Sequence, residues 1–143
     1  ALEGDGQSLG FLDIIDQYGS TPAGNLASYY AGVCYLRMGD FEQAKSYFKS
    51  FSSDDEILNT FAKGLLGDAE AELGNNAAAI SAYQKAADSG NKVVSPIFLM
   101  KLGALNEVEG NVAKAKEVYQ QVKDDYPTSA QATLASKYLG SVK

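Results

Sequence analysis

The chain has 143 residues with 18 acidic and 12 basic side chains, a net charge of −6 at pH 7, one cysteine and no histidine. Nucleic acids and anionic membrane surfaces both require a basic surface, so this composition argues against either partner. It also excludes an internal disulfide, a histidine-dependent nucleophile and a histidine-ligated metal. A chain of this length with 45% apolar residues fits one globular domain.

Residues 1–7 are polar and glycine-rich, which is typical of a flexible N-terminal segment. A helix is predicted over 8–18, because apolar residues recur there at helical spacing. They are Phe11, Ile14, Ile15 and Tyr18. When Tyr18 is aligned with Tyr126, this helix matches the second helix of a later unit. We therefore expect an incomplete leading unit, with its first half lost or upstream of residue 1.

Helix start signals divide the remaining chain into three helix pairs and one last helix. Thr21 and Pro22 are suited to the N-cap and the first position of a helix. Ser53 and Glu56 have the spacing of a capping box, and a serine–proline step stands at 95–96. The predicted pairs span about 22–51, 55–88 and 95–125. A capping helix is predicted over 128–140, with Leu134, Tyr138 and Leu139 facing inward.

The three predicted pairs share a register. Four columns recur at spacings of 35 and 36 residues. The columns are Gly32/Gly67/Gly103, Gly39/Gly74/Gly110, Ala44/Ala79/Ala115 and Phe48/Tyr83/Tyr119. A period near 34 residues with two helices per unit indicates a helical repeat array.

Glycine occurs in the two columns for different physical reasons. Gly32, Gly67 and Gly103 lie within helices, where glycine costs about 1 kcal/mol relative to alanine. We expect the close approach of a neighbouring helix to offset that cost. The second glycine column precedes Asp or Asn, which is typical of a helix end followed by the N-cap of the next helix.

This pattern resembles the tetratricopeptide repeat (TPR) family over roughly residues 25–127, including a closing proline at Pro127. The resemblance implies an all-α fold, a right-handed α-solenoid of about three helix pairs with a leading half-repeat and a C-terminal capping helix. Two columns depart from the family pattern. The position four residues before the first glycine, often bulky in the family, holds Ser28, Lys63 and Leu99. The aromatic residue present as Tyr35 is replaced by Glu70 and Asn106.

The resemblance also implies a concave groove lined by the first helix of each repeat. Carried over by column, the partner-binding residues would be Leu26, Tyr29, Val33, Leu36, Arg37, Phe61, Asp68, Glu72, Ile97, Met100, Ala104 and Glu107, with Gly64, Ala71 and Val108 beside them. Such a groove is apolar with acidic spots and suits a protein or peptide segment with apolar anchors. The family's clamp for an acidic C-terminal tail needs paired lysine and asparagine, which are missing from these columns.

No spacing in the sequence favours catalysis, a metal or a cofactor. Cys34 lies in an apolar stripe and is interpreted as a small buried residue. The acidic run at 54–56 is interpreted as a complement to a helix dipole rather than as a metal site. We therefore predict a protein that is not an enzyme and that holds no cofactor or metal.

Two functions remain open on the sequence. One is a binding scaffold, and the other is a self-association module whose groove or open end is filled by a second copy or by its own upstream segment. Residues 4–32 are similar to membrane-anchored ancillary subunits of the bacterial Sec translocon, and residues 121–129 to other envelope TPR proteins. This similarity implies the periplasmic face of a bacterial membrane, reached through an absent N-terminal anchor. The alternative is a cytoplasmic adaptor.

Overall fold

The computed structural model describes residues 1–5 and 9–142, which form helices and no strand. The helices are α1 (Phe11–Tyr18), α2 (Pro22–Met38), α3 (Phe41–Ser50), α4 (Glu56–Glu72), α5 (Asn76–Ala87), α6 (Val94–Val108), α7 (Val112–Asp125) and α8 (Ala130–Ser141). The predicted all-α class is confirmed. None of the helices in the described ranges is both long and apolar enough to cross a membrane.

The helices form two layers. Each helix packs against the next one along the chain, and α2, α4, α6 and α8 also contact one another in that order. Within residues 1–5 and 9–142, no contact joins any two of α1, α3, α5 and α7. The even-numbered helices therefore form the inner layer of a curved array, as in a helical solenoid. The predicted tetratricopeptide solenoid is confirmed.

The glycines within the helices are contact points between the two helices of each pair. A Cβ atom at Gly67 would lie 2.6 Å from two ring atoms of Tyr83, which belongs to the paired helix α5. The equivalent distances are 2.8 Å for Gly32 and Phe48 and 2.4 Å for Gly103 and Tyr119. The expected close approach of a neighbouring helix is thus confirmed, and it explains why these positions carry no side chain.

Polar residues replace the aromatic column without leaving buried groups unpaired. The buried Glu70 accepts a hydrogen bond of 2.8 Å from Asn75 and forms an ion pair of 3.3 Å with Lys45. The buried Asn106 donates from Nδ2 to the carbonyl oxygen of Leu102 over 2.8 Å. Because buried polar groups require partners, these contacts make the departure from the family pattern tolerable.

The first helix begins at Phe11, later than the sequence predicted. Ser8, its predicted first residue, lies outside the described part of the chain, as do residues 6–7 of the predicted flexible segment. Phe11 and Leu12 donate their backbone N–H groups to the carbonyl oxygens of Ala1 and Leu2, each over 3.0 Å. These two carbonyl groups satisfy donors that have no partner in the first turn of a helix.

The N-cap of α4 differs from the predicted Ser53–Glu56 capping box. Asp55 is the N-cap, and its Oδ1 atom accepts from the N–H groups of Ile57 and Leu58 over 2.9 and 3.2 Å. A carboxylate is a stronger acceptor than a hydroxyl for these donors.

The start of α6 differs in the same way. Asn91 places its Oδ1 atom 2.9 Å from the N–H groups of both Val93 and Val94. The helix therefore begins at Val94, and Ser95 and Pro96 are buried in its first turn instead of forming its cap and first residue.

The capping helix α8 buries less than the sequence predicted. Its buried residue is Ala135, and Leu139 packs partly against the core. Leu134 and Tyr138, predicted to face inward, are both exposed among the described residues.

Candidate functional site

Two adjoining cavities of about 380 and 330 Å³ lie on the inner layer and together form what we call the central groove. Four residues line both cavities: Asp68, Ala71, Tyr83 and Lys101. Leu36, Phe41 and Glu72 extend the lining on one side, and Ala104, Leu105 and Val108 on the other. The central groove thus runs across α2, α4 and α6.

The middle of the groove is fixed by a hydrogen-bonded carboxylate. Lys101 places its Nζ atom 2.7 Å from each carboxylate oxygen of Asp68, and Tyr83 donates its hydroxyl proton to Oδ1 over 2.7 Å. The same ammonium group lies 5.8 Å from the centre of the Phe98 ring. The two hydrogen bonds from Lys101 and the one from Tyr83 hold the Asp68 carboxylate in one position, and the ammonium group balances its charge. The carboxylate is therefore a preorganised part of the groove floor.

The tyrosine hydroxyl in this cluster stays protonated. Burial raises the pKa of Tyr83 above its ordinary value, and the hydrogen bond to Asp68 and the negative charges of Asp68 and Glu72 raise it further. The hydroxyl is therefore a permanent hydrogen-bond donor rather than an acid.

The pair formed by Tyr83 and Asp68 in the second repeat has a different counterpart in each of the other two repeats. In the third repeat, Tyr119 donates to Oε1 of Glu107 over 2.5 Å, one helical turn beyond the column of Asp68. Burial, followed by this hydrogen bond and the charge of the carboxylate, raises the pKa of Tyr119. In the first repeat, Val33 and Phe48 occupy the two columns, and no hydroxyl is present. A tyrosine therefore occurs where the inner helix supplies a carboxylate.

Four of the predicted binding residues line the central groove, and so do two of their predicted neighbours. The four are Leu36, Asp68, Glu72 and Ala104, and the neighbours are Ala71 and Val108. Arg37 is exposed at the end of α2, and Glu107 is exposed on α6. The structure places these residues on or beside the inner layer, and their role in binding stays a prediction.

Two predicted binding residues belong to the core instead. Tyr29 is 9% exposed, and Met100 is 8% exposed. The Tyr29 ring packs against the rings of Phe48 and Phe51 with centroids 6.1 and 5.5 Å away. Of the adjacent pair Tyr29 and Tyr30, the first faces inward and is covered.

Gly64 does not face the groove either. The ring of Phe98 covers it, since a Cβ atom at Gly64 would lie 2.0 Å from that ring. Val33 and Phe61 are half-buried and pack against the same core as Tyr29. Neither residue lines the cavities that form the central groove.

Leu26 and Ile97 lie at a different place, where an inner helix begins beside the loop to the next repeat. Leu26 lines a cleft of about 240 Å³ with Pro22 and Phe51. Ile97 lines a cleft of about 580 Å³ with Tyr126 and other residues. These clefts are separate from the central groove.

Several groove residues were not predicted from the sequence: Phe41, Tyr83, Lys101 and Leu105. A signal existed for Lys101. It occupies the column two residues before the helix glycine, where the other repeats have Tyr30 and Leu65. A charged residue in an otherwise apolar column indicates an opposite charge on the neighbouring helix.

The described residues contain no cluster of three or more side chains that could hold a metal ion. The single cysteine, Cys34, is half-buried on α2.

Comparison with known protein families agrees with this architecture. Two family models, both described as tetratricopeptide repeat, match residues 62–130 and 26–54. None of the curated proteins compared with the chain matches it. Tetratricopeptide repeats generally act as scaffolds for protein–protein interaction and are typically not catalytic. The segments that the two family models match coincide with the helix pairs described above, and the chain belongs to the tetratricopeptide repeat family.

Proposed function

We propose that the chain is a non-catalytic scaffold that holds a protein or peptide segment in the central groove. The observation that carries this proposal is the pair of joined cavities on the inner layer, whose floor is fixed by the Asp68–Lys101–Tyr83 cluster. A preformed groove of this kind binds an extended or helical segment without a large ordering cost to the scaffold.

The proposed partner has apolar anchors. On the α6 side, the groove is lined by Ala71, Ala104, Leu105 and Val108, and Val108 is 75% exposed. The two alanines leave room above them for side chains of a partner. Burial of an exposed apolar strip by apolar side chains is favourable by about 25 cal/mol per Å² of area removed from water.

The proposed partner also carries a basic residue. Asp68 is already balanced by Lys101, whereas Glu72 is exposed and forms no ion pair with any described residue. Glu107 adds a second carboxylate beside the apolar strip. The unbalanced charge at the groove is therefore negative and favours a segment with lysine or arginine next to its apolar anchors.

Binding to a peptide array tests this proposal. The array presents segments that vary independently in apolar and basic content, and we expect enrichment of segments that combine both. Ala104→Lys places a positive charge in the groove, which opposes both the apolar anchors and the basic residue of the partner, and should weaken binding of the selected peptides at least about tenfold. Ala113→Lys introduces the same change at an exposed position of α7 and should preserve binding. The proposal is contradicted if the bound segments show no preference for apolar and basic residues, or if both variants bind the selected peptides with equal affinity.

We further propose the bacterial cell envelope as the place of action, with support only from the similarity of residues 4–32 and 121–129 to envelope proteins. Fractionation of cells that express the natural protein tests it. Recovery with the membrane and the periplasm supports the envelope, whereas recovery with the cytosol supports a cytoplasmic adaptor.

A further inference from the structure

The two cavities of the central groove share four lining residues but differ in the others. The cavity of about 380 Å³ is completed by Leu36, Phe41 and Glu72. The cavity of about 330 Å³ is completed by Ala104, Leu105 and Val108. The first set adds a carboxylate to apolar side chains, whereas the second set is apolar throughout. We therefore call them the acidic cavity and the apolar cavity.

Glu72 supplies the unbalanced charge of the acidic cavity. The charge of Asp68 is cancelled by the Lys101 ammonium group, 2.7 Å away. Glu72 is exposed and forms no ion pair within residues 1–5 and 9–142. Burial, the hydrogen bond to Asp68 and the charge of Asp68 raise the pKa of Tyr83, and the charge of Glu72 raises it further. The Glu72 carboxylate therefore acts on the interior of the cavity as well as on the surrounding water.

A lysine or arginine side chain matches both features of the acidic cavity. Its aliphatic stem covers the half-buried Leu36 and Phe41, while its charged end reaches Glu72. An acidic side chain would be repelled there. A purely apolar side chain would take the Glu72 carboxylate out of water without a partner, which is unfavourable. Charge complementarity therefore favours a basic residue.

The apolar cavity favours an aliphatic or aromatic side chain. Val108 is 75% exposed, and Ala104 is exposed as well. The short side chain of Ala104 leaves space that a larger residue at this position would fill. An apolar side chain of a partner would occupy this space and remove the apolar surface from water.

The separation of the two cavities limits the spacing of the two side chains in a partner. Two touching spheres of 380 and 330 Å³ have centres about 9 Å apart, and cavities that share lining residues lie at least as close. Side chains on one face of an extended segment recur at every second residue, about 7 Å apart. The next side chain on that face is about 14 Å away, which is too far. A spacing of two residues therefore fits the groove.

Lys101 favours an extended segment over a helical one. Its side chain is 41% exposed, and its ammonium group has three N–H bonds. Two hydrogen bonds to the carboxylate oxygens of Asp68 leave one N–H with no acceptor in the described part of the chain. An extended segment offers free backbone carbonyl groups, whereas a helix bonds its carbonyl groups internally except in its last turn. The remaining N–H of Lys101 therefore suits the backbone of an extended segment.

We propose that the central groove recognises an extended segment through two side chains that stand two residues apart, a lysine or arginine in the acidic cavity and an apolar side chain in the apolar cavity. A backbone carbonyl group of the segment accepts a hydrogen bond from Lys101. This inference rests on the proposed function of the groove. It adds the spacing of the two side chains and assigns each of them to one cavity.

Peptides of defined spacing test the inference. Short peptides of serine, threonine and glycine carry one lysine and one leucine, in either order and one to four residues apart. Changes in the NMR chemical shifts of the labelled chain measure weak as well as tight binding. We expect the peptides with a separation of two residues to bind at least about tenfold more tightly than those with any other separation.

Two variants test the assignment of each side chain to its cavity. Glu72→Lys reverses the unbalanced charge, so replacing the peptide lysine by glutamate should strengthen binding at least about tenfold instead of weakening it. Ala104→Leu fills part of the apolar cavity, so the preference should shift from leucine towards alanine while the preference for lysine persists. Both residues are exposed, and circular dichroism should show an intact fold. Glu117→Lys and Ala113→Leu make the same changes at exposed positions of α7 and should alter neither preference.

The outcomes separate this inference from the proposed function. If peptides with both residues bind equally at every separation, or best at three or four residues, the extended register is wrong and the scaffold function stands. A Glu72→Lys variant that still prefers lysine, or an Ala104→Leu variant that still prefers leucine, overturns the assignment of the cavities.

A different occupant of the groove would also be recognised. If light scattering shows a dimeric parent that Glu72→Lys makes monomeric, a second copy of the chain fills the groove and the inference is overturned. If no peptide that carries both residues binds, the proposed function fails together with the inference.

Discussion

At the scale of single residues, the Tyr83 hydroxyl joins the two layers of the array. Its ring packs on Gly67 of α4, and its proton is donated to Asp68 on the same helix. Tyr119 repeats the arrangement with Gly103 and Glu107. Because both hydroxyls are held next to carboxylates in places with little water, folding favours their protonated form.

Alkaline pH should therefore destabilise the fold through these two tyrosines. Tyrosines of the unfolded chain ionise near pH 10, whereas the folded pKa of Tyr83 and of Tyr119 is raised. Their contribution is fully present below pH 10. It is lost as the pH rises from there towards the folded pKa, by about 1.4 kcal/mol per pH unit for each tyrosine.

Urea unfolding at pH 9 and pH 11 measures this effect. The variant Tyr83→Phe/Tyr119→Phe should lose about 2 to 3 kcal/mol less than the parent between these two values. Tyr18→Phe removes an exposed hydroxyl and is the control, which should show the same loss as the parent. Equal losses in parent and double variant would show that folding does not depend on the ionisation of these hydroxyls.

At the scale of helices, replacing glycine by alanine should have opposite effects on stability at Gly67 in α4 and at Gly140 in α8. Alanine is a better helix former than glycine by about 1 kcal/mol. At Gly67, this gain is opposed by overlap with the Tyr83 ring, since the new Cβ would lie 2.6 Å from its atoms. At Gly140, no described atom opposes it.

We expect Gly67→Ala to lower the free energy of unfolding by about 1 to 3 kcal/mol, the usual cost of overpacking. Gly140→Ala should leave it unchanged or raise it by up to about 1 kcal/mol. Denaturant unfolding of both variants measures the difference. A Gly67→Ala variant as stable as Gly140→Ala would mean that the ring moves aside freely.

The helical pairing and its glycine contacts were predictable from the sequence, because a period of 35 to 36 residues repeats in four columns. The helix starts were less predictable. Asn91 caps α6 from two residues before its N-cap residue Val93, and Asp55 displaces Ser53 at α4. Several polar residues compete for the same N–H groups there, and spacing alone does not rank them.

The column of Val33, Asp68 and Ala104 shows that a column predicts the candidate site only in part, since Val33 packs against the core. Asp68, Glu72 and Ala104 line the central groove. Tyr29 and Met100 do not, because aromatic and helix–helix packing covers them. Curvature and the packing of neighbouring repeats decide which side of a column is open, and a single sequence carries little of that information.

At the scale of the whole molecule, stability should be graded from the centre to the ends. Among the described helices, α6 contacts α4, α5, α7 and α8, whereas α1 contacts one helix, α2. In a repeat array, each unit is stabilised mainly by its immediate neighbours. An end helix with one neighbour therefore opens without the rest of the array.

Amide hydrogen exchange in dilute protein measures this gradient. The amides of α1 should exchange at least about tenfold faster than those of α6, whose buried residues include Phe98 and Leu99. Equal protection of both helices would show that the array opens only as one cooperative unit.

The arrangement of contacts also bears on how fast the chain folds. Helices contact the next helix along the chain or the next but one, and no described helix packs against a distant one. The chain therefore loses little conformational entropy by closing long loops before stabilising contacts form. Folding should therefore be fast for a chain of this length, with helix pairs at any place in the array able to nucleate it.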